Sequence, residues 1–87
     1  MKFIKHLEIL DKIKKDKRVK FEGKIIYSYI YTKGFDKIIV DLNVGELQPY
    51  LKIKNKGLKN NLQTLERYKY LIYDEYDTGM YSINLSR

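Results

Sequence analysis

The side chains that could perform acid–base, redox or metal chemistry are few and scattered in this chain. It contains one histidine, His6, and no cysteine, which excludes disulfides and thiolate chemistry. Lys2 and Lys5 lie near His6, and their charge opposes a bound cation, whereas metal ligands come in clusters. No Gly-rich phosphate loop or nucleophile-elbow motif occurs. We therefore expect a non-enzymatic protein with no catalytic, cofactor-binding or metal-binding residues, the alternative being a small ribonuclease toxin that uses His6 with a lysine and a tyrosine.

Lysine and tyrosine dominate the remaining chemistry, with 15 lysines and nine tyrosines among 87 residues and a net charge of +7. Aromatic rings among ammonium groups can stack on bases, contact phosphates or dock onto a protein. Residues 1–24 carry nine basic and four acidic groups and residues 52–69 carry six basic and one acidic, so each segment has a net charge of +5. Because arginine, the residue that reads guanine, occurs only three times, we expect any nucleic-acid contact to be sequence-nonspecific.

Two segments have the spacing of amphipathic helices. From Lys2 to Lys15 apolar residues recur every three or four positions, which predicts an N-terminal helix. A second helix is predicted at residues 58–67, followed by a hairpin of Tyr68–Tyr76 and Met80–Leu85 with an acidic tip. Helical spacing continues through Tyr68, Ile72 and Tyr76, so a single long helix in this region is the alternative.

The other segments have strand composition. Residues 24–31 are almost all β-branched or aromatic, which is typical of a half-buried pleated surface. Further strands are predicted around Val19 and Phe21, at Lys37–Asn43, and at Tyr50–Lys54 after the only proline. The fold class is therefore predicted as α+β, a single antiparallel β-sheet of five to six strands with two helices on one face, and residues 1–87 form a single small domain.

A basic surface with tyrosines is the candidate binding site. In a strand, alternation would place Tyr27, Tyr29 and Tyr31 on one side of the sheet, where exposed rings could bind a partner and buried rings would complete the core. The densest run of lysines precedes this segment, and a second run follows the proline. The predicted partner-binding residues are Lys14, Lys15, Lys17, Arg18, Lys20, Tyr27, Tyr29, Tyr31, Lys52 and Lys54.

Composition also suggests where such a protein acts. Lys, Ile, Tyr and Asn, whose codons are A/T-rich, make up 40 of the 87 residues, which suits a phage or mobile element of a low-G+C host. No apolar run is long enough for a signal peptide or a spanning helix, so we expect a cytoplasmic monomer or homodimer without membrane contact. The function expected is inhibition of a host nucleic-acid machine, as anti-CRISPR proteins do, by binding a host protein or ribonucleoprotein. The alternative is nonspecific binding of single-stranded RNA or DNA.

Overall fold

A computed structural model of the chain describes residues 10–34 and 37–85. Most of the predicted N-terminal helix, including His6, lies outside the described residues, while residues 10–15 are helical (α1). The described residues form three α-helices, one short 3-10 helix and three strands. After α1 these elements are α2 (Phe21–Lys33), β1 (Ile39–Asn43), the 3-10 helix (Val44–Leu47), α3 (Asn55–Arg67), β2 (Ile72–Asp77) and β3 (Met80–Asn84).

The three strands form one antiparallel sheet in the order β1-β3-β2. The predicted α+β class and single antiparallel sheet are confirmed, but the prediction of five to six strands is wrong. Val19 lies in the connection between α1 and α2, residues 24–31 belong to α2, and residues 51–54 are an irregular segment before α3. Segments that the composition assigned to strands are therefore helical, as in α2, or lie in connections between helices.

Helix α2 overrides a β-rich composition through its packing. Its buried residues recur at helical spacing and face the core: Gly23, Ile26, Tyr27, Ile30 and Tyr31. The helix ends at Gly34, whose N–H donates to the Ile30 carbonyl oxygen at 2.9 Å. Helix and strand propensities span only about 1 kcal/mol per residue, so burying one apolar face of a helix against the core is enough to outweigh them.

The C-terminal half follows the sequence more closely. Helix α3 begins three residues before the predicted helix and buries Leu58, Leu62 and Leu65. The hairpin is confirmed, and the long-helix alternative is wrong, because β2 and β3 pair around a turn in which Gly79 has φ 75°. A positive φ strains any residue with a Cβ, so glycine suits this position.

The core lies between the helices and one face of the sheet. Tyr81 and Ile83 of β3, the central strand, are fully buried, and Val40 and Leu42 of β1 lie beside them. Leucines from α3 and apolar residues from α2 cover this face. Within residues 10–34 and 37–85, no helix has the length and apolarity needed to cross a membrane.

Candidate partner-binding surface

Two of the three tyrosines predicted for binding lie in the core. Tyr27 is 0% exposed and Tyr31 is buried, and the Tyr27 ring lies 5.4 Å from that of Tyr31 and 5.5 Å from that of Tyr70, centroid to centroid. The prediction that Tyr27, Tyr29 and Tyr31 form a row on one side of a strand is wrong. A helix rotates successive residues by about 100°, so Tyr27 and Tyr31 share the core side while Tyr29 is turned away from them. Tyr27 and Tyr31 stabilise the fold and do not present a surface.

Tyr29 lies on another side of α2 and is half-buried. Its hydroxyl donates to Glu46 Oε1 at 2.7 Å, and this hydrogen bond, with burial, raises the pKa of Tyr29 to about 12. Lys33 Nζ also contacts Glu46 Oε1, at 2.6 Å. The ring of Tyr29 packs against that of Tyr50 at 5.6 Å, and the Tyr50 side chain is 63% exposed. Glu46 therefore holds the Tyr29 hydroxyl in its neutral form, and the exposed Tyr50 ring packs against the Tyr29 ring.

An apolar strip runs along the outer face of α2. Phe21, Ile25 and Tyr29 are spaced four residues apart, so they are neighbours on the helix surface over a length of about 12 Å. Phe21 is 76% exposed, and Tyr50 extends the strip beyond Tyr29. We call Phe21, Ile25, Tyr29 and Tyr50 the apolar strip. Because α2 is apolar on its core face and also along this strip, its exposed polar residues, such as Ser28 and Thr32, do not form the continuous polar side of an ordinary surface helix.

Sequence reasoning missed three members of the strip, Phe21, Ile25 and Tyr50. The available signal was the run of apolar residues in 25–31 that shows no helical period. Such a run is typical of a strand, but it is equally produced by a helix that has apolar residues on two sides. Only the buried positions of the folded chain separate the two interpretations.

The first group of predicted basic residues directly precedes the Phe21 end of the strip in the chain. Lys14, Lys15, Lys17, Arg18 and Lys20 are all exposed and lie on the end of α1 and the connection to α2; we call them the basic rim. Lys15 contacts Asp11 one helical turn away, at 3.1 Å. Lys24 Nζ of α2 donates to the Lys14 carbonyl oxygen at 2.8 Å, which ties the end of α1 to α2.

Arg18 is the most firmly held cation of the rim. Its Nε and Nη2 donate to the two carboxylate oxygens of Asp16 at 2.9 and 2.8 Å, and its guanidinium lies 4.1 Å from the centroid of the Tyr68 ring. Tyr70 donates its hydroxyl to the same carboxylate at 2.8 Å. These bonds, that of Arg18 first, hold the pKa of Asp16 well below its usual range. Asp16 therefore occupies the Nε–Nη2 edge of the guanidinium, and only the remaining N–H groups of Arg18 are left to meet an oxygen of a partner.

A polar groove of about 230 Å³ separates the rim from α3. Arg18, Lys20 and Glu22 line the side that leads into α2, and residues of α3 line the other side: Gly57, Asn60, Asn61 and Thr64. At the groove α2 passes close to α3, since a Cβ on Gly23 would stand 3.2 Å from Asn61 Oδ1. The groove therefore contains two cations of the basic rim, Arg18 and Lys20, and Lys20 and Glu22 are the chain neighbours of Phe21.

The second group of predicted basic residues is not brought into this groove. Lys52 and Lys54 are exposed on the irregular segment before α3. Lys59 of α3 contacts Glu75 Oε1 at 2.8 Å, and Asn55 donates to Oε2 of the same residue at 2.9 Å. Lys59 therefore joins α3 to the hairpin, while Lys52 and Lys54 add to the charge of the surface.

Comparison with protein-family models, curated proteins and solved structures found no match to this chain. Among the residues that the structure describes, no group of three His, Cys, Asp or Glu side chains is placed to hold a metal ion.

Proposed function

We propose that this chain is a non-enzymatic binding protein that docks the outer face of α2 onto an acidic surface of a partner protein or ribonucleoprotein. The observation that carries the proposal is the apolar strip, above all the 76% exposure of Phe21. Exposed aromatic residues within a charged rim are the pattern of an interface centre, because aromatic anchors supply most of the binding energy and rim charges steer the encounter.

The size of the strip sets what else the interface needs. With side chains of about 200 Å² each, the exposed parts of Phe21 and Tyr50 amount to roughly 280 Å², worth about 7 kcal/mol when buried. Association itself costs an estimated 4–15 kcal/mol, so the two rings cannot give tight binding alone. The basic rim and the groove must therefore be included, which points to an acidic partner surface.

A protein surface suits the strip better than stacked bases. Single-strand binders present ring faces on which successive bases stack. Here Tyr27 and Tyr31 are buried, and the Tyr29 and Tyr50 rings contact each other at an interplanar angle of 46°. The A/T-rich composition makes a host nucleic-acid machine the first partner class to test, with inhibition by occupying its surface, as for an anti-CRISPR protein.

The test is a pull-down from host lysate with the wild-type chain, Phe21→Ser and a control, Ile39→Ser, each with and without nuclease. Ile39 is 50% exposed on the sheet, away from α2, so the control removes a comparable exposed apolar group. We expect a partner that survives nuclease and that binds wild type and Ile39→Ser but not Phe21→Ser. With the purified partner, Phe21→Ser should weaken binding about 30-fold or more, as expected for a hot spot. Capture that Phe21→Ser leaves unchanged contradicts the proposal, and capture that nuclease abolishes places the contact on nucleic acid and contradicts docking onto a protein surface.

The non-enzymatic part has its own test. Purified chain incubated with excess RNA should leave it intact, and His6→Ala should keep the biological effect of the wild type. Multiple-turnover cleavage of RNA that a single substitution abolishes would show that the chain is a ribonuclease instead.

A further inference from the structure

The open face of the sheet has the opposite charge to the rest of the molecule. The outward-facing residues of the three strands are Ile39, Asp41, Asn43, Ile72, Asp74, Tyr76, Met80, Ser82 and Asn84. The three strands contain no lysine or arginine, although the chain has a net charge of +7. Asp41 and Asp74 are exposed, flank Ser82 on the central strand, and have no ion-pair partner among the described residues.

This face also exposes apolar side chains. Ile39 and Ile72 flank Asn84 on the central strand and are 50% and 55% exposed, and Tyr76 is 54% exposed. Since monomeric proteins seldom leave several large apolar side chains together in water, an acidic and apolar sheet face indicates a second interaction surface.

Side chains occupy some of the backbone groups at both edges of the sheet. On β1, Lys33 Nζ donates to the Asp41 carbonyl oxygen at 2.6 Å, and the Asn43 N–H donates to Glu46 Oε2 at 3.0 Å. On β2, the Tyr73 N–H donates to a carboxylate oxygen of Glu66 at 3.2 Å. Side chains that occupy backbone groups at an edge hinder pairing with another strand there, so the flat face is the more open surface for a partner.

We propose that the open face of the sheet binds the α2 face of a second copy of this chain, giving weak head-to-tail self-association. Charge complementarity selects this occupant, because the sheet face is acidic and the basic rim lies next to α2 in the chain. Both the sheet face and α2 also expose apolar residues that could pack together. Two sheet faces brought together would oppose Asp41 and Asp74 to their own copies, and two α2 faces would oppose lysines, so a symmetric contact is disfavoured. This self-association uses the same α2 face as the proposed function but requires no foreign partner, so binding of a second copy and binding of the partner compete.

The dimensions of the sheet make this contact weak. Three strands of five to six residues cover roughly 16 × 14 Å, which places the interface well below about 1,200 Å² of buried surface, in the range of transient contacts. A head-to-tail contact does not close on itself, so assemblies lengthen as concentration rises. We therefore expect weak self-association, with a Kd of about 100 μM to 1 mM that rises as salt is added.

The test is analytical ultracentrifugation of the full chain with two matched variants. The sheet variant combines Ile72→Ser with Asp74→Asn, and the helix variant combines Lys20→Gln with Phe21→Ser; all four residues are exposed. Wild type at about 1 mM and low salt should sediment above monomer mass and return to monomer when salt is raised. Each variant alone should associate at least about tenfold more weakly. Their equimolar mixture should restore association but stop at a dimer, because each variant keeps one intact face.

Three outcomes overturn the self-association. These are a monomeric wild type at about 1 mM and low salt, a variant that associates like wild type, or a mixture that associates no better than its components. Thermal melts of both variants, expected to match wild type, show that their folds are intact. The sheet variant should still capture the lysate partner, because its α2 face is intact. Capture by a wild-type chain that does not self-associate refutes this inference alone, and self-association of a wild-type chain that captures no partner refutes the proposed function alone.

Discussion

Phe21 and Tyr27 provide a sharp test of the two-sided helix, because they are aromatic residues of one helix with opposite exposures. Tyr27 is 0% exposed and packs against two rings, so Tyr27→Ala should cost about 3–5 kcal/mol, as large-to-small core substitutions do. Phe21 keeps about a quarter of its surface from water, near 50 Å², which is worth about 1.3 kcal/mol. Alanine recovers about 0.5 kcal/mol through its helix propensity, so Phe21→Ala should cost less than about 1 kcal/mol.

These values translate into melting temperatures. For a domain of this length each kcal/mol shifts Tm by about 4–8 °C, so Tyr27→Ala should lower Tm by roughly 12–40 °C and Phe21→Ala by less than about 8 °C. Circular dichroism at increasing temperature and urea unfolding at 25 °C measure both. A domain of 87 residues has roughly 4–13 kcal/mol of stability, so Tyr27→Ala could unfold entirely. Tyr27→Leu, which keeps part of the buried volume, then provides a smaller loss in the same direction.

Two results would refute this reasoning. Equal losses for Phe21→Ala and Tyr27→Ala would mean that the outer face of α2 is not exposed. A Tyr27→Ala variant whose Tm stays within about 3 °C of wild type would mean that this ring is not in the core.

Three further outcomes follow from the packing and the titrating groups. Gly34→Ala should destabilise by about 1–3 kcal/mol in thermal melts, because its Cβ would clash with Val40 Cγ2, and Val40→Ala should relieve part of the loss. Hydrogen bonds from Lys59 and Asn55 lower the pKa of Glu75 from 4.5 to about 2, so its stabilisation is present above pH 4.5 and is lost as pH falls toward 2. Glu75→Gln should therefore lose less stability than wild type between pH 5 and 2 in urea titrations. At alkaline pH, absorbance should show Tyr29, Tyr70 and Tyr81 ionising near pH 12, later than the usual 10, and stability should fall as pH rises through that range.

Local sequence signals predicted α3 and the hairpin because each has a single buried side. Leu58, Leu62 and Leu65 recur at helical spacing with polar residues between them, so only one helix face can be buried. The strands of the hairpin alternate around a turn that contains Gly79. In both elements the pattern in the chain and the burial in the fold carry the same information.

The same reasoning failed at α2 because two environments overlap there. Tyr27 and Tyr31 face the core, while Phe21 and Ile25 lie on the outer face, so apolar residues occur all round the helix and erase its period. Counting this segment as a strand added to the predicted sheet. It also placed Tyr27 and Tyr31 beside Tyr29 as binding residues, whereas the helix buries the first two.

The sequence by itself determined the α+β class, the hairpin, the second helix and the exposure of the basic rim, because lysine is almost never buried unpaired and its position in water follows from its chemistry. Only the tertiary structure decided which aromatic residues are core and which are surface. Tyrosine and phenylalanine are stable in either environment, so their burial depends on what packs against them. The apolar strip and the acidic face of the sheet are products of that packing. The strip joins Phe21 and Tyr50, which are 29 positions apart in the chain, and the sheet face joins Ile39 and Asp74, which are 35 positions apart.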